Sequence, residues 1–136
     1  MSIKLNIDRH FLFLHNENLA VFAERILRNT QHNPNMPNDA CIWAALQDSG
    51  SAFRRVLNNP ALKRKDRTEA VRKQEVLLLV QLSRMADHVE KSTTCKSDIF
   101  TTGFRPLSEH RKPFETRRRQ RLSAKLAHLE HVDASI

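Results

Sequence analysis

Glycine is scarce in this chain. Gly50 and Gly103 are the only two among 136 residues, and tyrosine is absent. Loops that cradle phosphates or dinucleotides need clustered glycines, and closed β architectures want a turn residue roughly every 8–12 positions. Neither class fits. Cysteine is rare as well: Cys41 and Cys95 form no CxxC pair and are too few for a disulfide framework. Both are expected as buried, inert thiols. Pairing between them stays open, since helices of alternating direction would bring the start of the second and the end of the third to one end of a bundle.

Long apolar runs are missing too. The longest uncharged one is Val76-Leu-Leu-Leu-Val80, read as buried helix, and no window approaches the roughly 18 residues of a membrane span. Phe11-Leu-Phe-Leu14, between His10 and His15, is too short for a secretory signal. The expectation is a cytoplasmic protein with no membrane partner.

What is present is charge and helical periodicity. Lys and Arg number 23 against 15 Asp and Glu, a net charge of +8, and 40% of residues are hydrophobic. That is enough apolar side chain for one core in a chain of single-domain length.

Residues 3–14 alternate loosely and are read as an extended leader packed on the helices. Leu19, Phe22, Ala23, Ile26 and Leu27 share a face and predict a helix over 16–30 with Asn16 as N-cap. A loop rich in Asn and Pro follows. Asn38 or Asp39 should cap a second helix, over 39–58, whose seam is Ile42, Leu46, Ser49, Phe53 and Val56 in alternating steps of four and three. Gly50 lies inside that seam without shifting its period. Asp66 or Thr68 should cap the longest helix, 66–91. Val71, Leu78, Leu82, Met85 and Val89 form its seam, and Val76, Leu77, Leu79 and Ala86 widen it. Asp98 caps a short turn bearing Ile99 and Phe100, and Gly103 suits a positive-φ position.

Beyond residue 104 the character changes. Residues 105–125 hold eight Arg and Lys against Glu109 and Glu115 alone, so most of the excess positive charge is here. After Pro113, a fourth helical pattern from Glu115 to about His131 carries a narrow stripe of Leu122, Leu126, Leu129 and Val132. The fold expected is all-α: an antiparallel up-and-down bundle of about four helices with a basic C-terminal helix. Residues 1–104 form the bundle and leader, and 105–136 the basic linker and helix. Trp43, Phe53, Leu78, Leu82 and Met85 should lie in the core.

Three segments carry a family resemblance: Asn33-Pro-Asn-Met-Pro37, Ala86-Asp-His-Val89 and Asp98-Ile-Phe-Thr-Thr-Gly-Phe104. Over about residues 7–113 the chain resembles a family of small bacterial four-helix-bundle proteins of uncharacterised function, often followed by a fibronectin type III-like module. Its members show an Asn-Pro-x-Phe-Pro loop, an Ala-x-Tyr-Val segment and a hydrophobic-Ser-Ser-Gly-Phe turn. Met36 and His88 replace the two aromatics here, and the basic helix stands where the β module would begin. The resemblance implies the bundle and no catalytic residues.

Residue chemistry points the same way. His128 and His131 share a helix face around Glu130, yet no Cys or carboxylate pair is placed to complete a metal site. They are read as solvated, His10 and His15 as surface residues, and His88 as a boundary histidine bonded to a neighbour. There is no Gly-x-Ser-x-Gly elbow and no Cys/His signature. Asp66, Glu69 and Lys73 look like helix-start charges and an i, i+4 pair. No enzymatic activity, cofactor or metal is expected.

The sharpest feature is the basic tail. Arg111, Lys112, Arg117, Arg118, Arg119, Arg121 and Lys125 are the candidate binding residues, and Lys63-Arg-Lys-Asp-Arg67 adds to the same field. The function expected is a non-enzymatic helical interaction or structural module. It would self-associate into a homo-oligomer through the tail seam or dock an acidic protein. The alternative is nucleic-acid binding through 105–125.

Overall fold

The computed structural model describes residues 6–36, 39–61, 63–93, 95–107 and 120–129. A 3₁₀ turn, His10–Phe13, precedes α1 (Asn16–Thr30), α2 (Ala40–Leu57), α3 (Arg64–Ser92) and α4 (Lys96–Thr101). Residues 120–129 are helical as well and are termed α5. Among the described residues the chain is all-helical, as expected, with one isolated antiparallel bridge between Ile7 and Pro106. α2 sits between α1 and α3 and shares its larger interface with α3.

The helix starts differ in how they are held. Asp39 caps α2: its carboxylate accepts from the N–H groups of Cys41 at 3.0 Å and Ile42 at 3.2 Å. A cap of this kind contributes about 1 kcal/mol. α1 is capped by His15 without a side-chain bond, and Asn16, expected as the cap, instead takes φ +50°. Asparagine tolerates that left-handed conformation better than most residues. α3 starts at Arg64, before either expected cap, and its N-cap Lys63 makes no side-chain bond. Asp66 lies in the first turn, where its charge favours the helix dipole. Thr68 donates instead to the Arg64 carbonyl, at 2.9 Å.

Threonine hydroxyls finish three helices. Thr30 donates to Ile26 O at 2.7 Å, Thr93 to Val89 O at 2.7 Å and Thr102 to Ile99 O at 2.6 Å. Gly103 then turns the chain with φ +93°, as its place in the sequence suggested.

The core holds Leu19, Phe22 and Ile26 of α1, Leu46 and Phe53 of α2, and Leu78, Leu82, Met85 and Val89 of α3. The leader contributes more than a covering. Ile7, Phe11 and Leu12 are buried, and Phe11 meets Phe22 and Phe104 with ring centroids 5.6 and 5.8 Å apart. Instead of running extended, it tightens into the 3₁₀ turn at residues 10–13.

Three expectations about burial need correction. Trp43 is only partly buried and packs on the rim of the core. Its indole N–H needs an acceptor and finds Leu27 O at 3.0 Å. Leu77 is 40% exposed, because the residues buried at one and two positions either side already fill the inward face of α3. Cys41 and Cys95 are exposed and unpaired with each other: Cys41 projects from the first turn of α2, and Cys95 precedes α4.

An ion cluster locks the leader to α3. Arg9, 3% exposed, reaches Asp87 at 2.6 Å, Glu90 at 3.2 Å and the Ser83 carbonyl at 3.2 Å. Glu90 also accepts the N–H of Ile7 at 2.8 Å. On the other side, Asp8 N–H donates to Arg105 O at 2.8 Å and Leu107 N–H to Asn6 O at 2.7 Å.

Candidate functional site

The first turns of α3 read Arg64-Lys-Asp-Arg-Thr-Glu-Ala-Val-Arg72, and the apolar stripe strengthens only toward Val76. Residues 63–69 are therefore exposed. Arg64, Thr68 and Arg72 recur every fourth residue, so they lie along one side of the helix. Over that span the axis rises about 12 Å at about 1.5 Å per residue.

This side borders three adjoining clefts. The first, of about 520 Å³, lies between the start of α1, the end of α2 and α3, and its polar lining includes His15, Asn16, Glu17, Asn58, Arg64, Arg67, Thr68, Arg72 and Glu75. The second, of about 620 Å³, shares His15, Arg72 and Glu75 with it and is closed by Arg121, Ala124, Lys125, His128 and Leu129 of α5. The third, about 500 Å³, extends past Arg64, Lys65, Thr68, Glu69 and Arg72. Together they trace a groove with arginines on both walls.

Its floor holds one buried carboxylate. Glu75 is 8% exposed, His15 Nδ1 lies 2.8 Å from its Oε1 and Lys125 Nζ 3.8 Å away. With its proton on Nδ1, His15 donates to that oxygen. Burying an unpaired carboxylate is costly, and the two basic groups are what make this position tolerable. Arg67 is held by donating to Leu57 O at 2.8 Å. The Arg121 guanidinium stacks 5.0 Å from the ring centroid of Phe13, which is 41% exposed. Leu122 packs against the core.

The site residues expected from sequence divide in two. Arg121 and Lys125 stand in the groove wall. Arg111, Lys112, Arg117, Arg118 and Arg119 lie outside the described residues, as do His131, Val132 and the cap candidate Asn38. Of the Lys63–Arg67 patch, expected only to add to the field, Arg64, Lys65 and Arg67 line the groove. Arg72, His15 and Glu75 were not anticipated as site residues. The fourfold spacing of Arg64, Thr68 and Arg72 was the available signal for the wall; for Glu75 there was none, since a carboxylate between Gln74 and Val76 reads as solvated.

The other histidines sit apart in character. His10 is half-buried and edge-on to Phe22 at 5.5 Å. His88 is half-buried at a smaller cleft with Asp39, Arg84 and Lys91. His128 is exposed on α5. Among the described residues no three His, Cys, Asp or Glu side chains are grouped to hold a metal ion, and no helix is long and apolar enough to cross a membrane. At the edge of the first cleft, Arg54 bridges Glu17, which lines that cleft, at 2.5 Å and Glu24 at 2.8 Å, and hydrogen bonding to these carboxylates raises its pKa further above the ordinary guanidinium value.

No protein-family model, curated protein or solved structure matches the chain.

Proposed function

We propose that the chain is a non-enzymatic helical interaction module, cytoplasmic, that holds a polyanionic partner in the groove along α3. In this reading the helices form an antiparallel up-and-down bundle, kin to the bacterial four-helix family it resembles, and the basic C-terminal helix supplies one wall. The observation that carries the reading is the groove's composition. Arg64, Lys65, Arg67, Arg72, Arg121 and Lys125 line it against three carboxylates, of which Glu75 is engaged by His15 and Lys125, Glu17 is paired with Arg54, and Glu69 is exposed. Cations arranged on concave walls focus field into the cleft and raise the local concentration of an anionic partner.

Self-association through the tail seam draws on fewer side chains than the sequence suggested, because Leu122 is spent on the molecule's own core.

Retention on a heparin resin tests the groove. Arg72→Glu should elute at clearly lower salt than the parent chain, whereas Arg55→Glu, an equal change of charge on α2, should shift little. Arg55 is exposed, and its Nε donates only locally, to Ser51 O at 3.4 Å. Equal shifts for both variants would sink the groove as the binding site.

A further inference from the structure

We propose that the second cleft, between α3 and α5, binds a small amphipathic carboxylate, its apolar body on Val76, Ala124 and Leu129 and its anionic head on Arg72. This goes beyond the polyanion reading: it needs only this one cleft and a ligand of a different class.

The cleft exists because two helix faces do not close on each other. Arg121, Ala124, Lys125, His128 and Leu129 stand at i, i+3, i+4, i+7 and i+8, so they form one side of α5, and all five line the cleft. From α3 come Arg72, Glu75 and Val76, at the same helical spacing. Faces packed directly together leave few voids larger than a water molecule. Here about 620 Å³ separates them, and α5 meets the core through Leu122, at the edge of this side. A recess of that size between helices falls in the range of small-ligand sites.

The lining supplies both halves of an amphipathic ligand's recognition. Val76, Ala124 and Leu129 are apolar, and long basic side chains carry apolar stems that can extend such a surface. Withdrawing that surface from water favours a ligand with an apolar body. The charges then choose the sign of its head. Arg72, Arg121 and Lys125 face a single carboxylate, Glu75, whose Oε1 lies 2.8 Å from His15 and 3.8 Å from Lys125. Glu75 therefore has its counter-charge already, and the surplus is positive.

Of the three cations, Arg72 is the one without a tie. Arg121 is stacked on Phe13 and Lys125 is near Glu75, whereas Arg72 makes no side-chain hydrogen bond or ion pair among the described residues. One guanidinium fork matches the two oxygens of one carboxylate. A monoanionic head is thus sufficient.

Calorimetric titration of the full chain with decanoate tests this, beside decanol and decyltrimethylammonium, which carry the same apolar chain without charge and with positive charge. Decanoate should saturate a single site. The other two should bind at least about tenfold more weakly, as loss of a charge-assisted pair requires. Octanoate should bind about tenfold more weakly than decanoate, the effect of two buried methylenes. Arg72→Gln should weaken decanoate about tenfold, and Arg55→Gln should leave it unchanged. Ala124→Phe, a filling change at an exposed position of α5, should abolish binding while circular dichroism shows the helices intact. Binding that does not saturate, a cation bound as tightly as decanoate, or full binding by either Arg72→Gln or Ala124→Phe overturns the proposal. If decanoate fails to bind while heparin retention depends on Arg72, this proposal falls and the polyanion reading stands. If decanoate binds as expected while Arg72→Glu and Arg55→Glu shift heparin elution equally, the polyanion reading falls and this one stands.

Discussion

The indole nitrogen of Trp43 donates to the main-chain oxygen of Leu27 at 3.0 Å, and that oxygen also accepts the N–H of Gln31 at 3.1 Å. The bond therefore ties α2 to the last turn of α1 without being indispensable to the carbonyl. Trp43→Phe should lose about 1 kcal/mol or less, the usual net worth of one hydrogen bond whose acceptor stays satisfied. Trp43→Ala should lose about 2–3 kcal/mol, below the range for a fully buried tryptophan because the ring sits at the rim. Urea unfolding of the two variants checks both, and a loss above 4 kcal/mol for the alanine would put the ring in the core after all.

Arg9 is the leader's anchor. Arg9→Met keeps most of the buried stem but leaves Glu90, 13% exposed, without its cation. Asp87, 57% exposed, can turn to water. The expected loss is about 2–4 kcal/mol, at or below the range for breaking a buried pair, since one of the two carboxylates is spared. A thermal scan that moved by less than about 3 °C would show that the leader is held by Ile7, Phe11 and Leu12 alone.

The two glycines should respond to alanine with opposite signs. At Gly50 a Cβ would meet Leu27 Cδ1 at 3.7 Å, an ordinary contact, inside a continuous helix. Gly50→Ala should stabilise by about 0.5–1 kcal/mol through helix propensity and chain entropy. At Gly103 the φ is +93° and a Cβ would come within 2.9 Å of Ile26 Cδ1 and 3.1 Å of Asn29 Nδ2. Gly103→Ala should destabilise by about 1–3 kcal/mol. Paired denaturation curves decide, and two shifts in the same direction would contradict the geometry.

The Arg54 pair contributes little to stability by contrast. Glu17 and Glu24 are 66% and 47% exposed, so solvent screens the attraction. Arg54→Ala should change stability by about 1 kcal/mol or less, and less still in high salt. A loss of several kcal/mol would show that the aliphatic stem matters more than the charge.

The parts of this fold that could be read in advance are those set by neighbours in sequence. Ile42, Leu46 and Phe53 announce α2, Asp39 stands one residue before it, and Gly103, one of only two glycines, closes the short α4 turn after Thr101 and Thr102. What stayed hidden depends on residues far apart. Arg9 looks like any surface arginine until α3 brings Asp87 and Glu90 to it. Glu75 looks solvated until His15 and Lys125 cover it. The start of α3 was misjudged because no side chain marks it: Lys63 caps by backbone alone. Leu77 was misplaced because a run of five apolar residues must turn one of them outward on a helix. The groove itself was half visible, as two basic segments whose meeting along α3 only the fold reveals.

The pairing of residues 6–8 with 105–107 has a mechanical consequence. Tension applied beyond residue 107 enters the leader before it reaches any long helix, and the Ile7–Pro106 bridge with its flanking hydrogen bonds is the first element to bear it. The basic helix itself also reaches α3 directly, through Leu122 on the core and Lys125 at Glu75, so the clasp shares the load rather than taking it all.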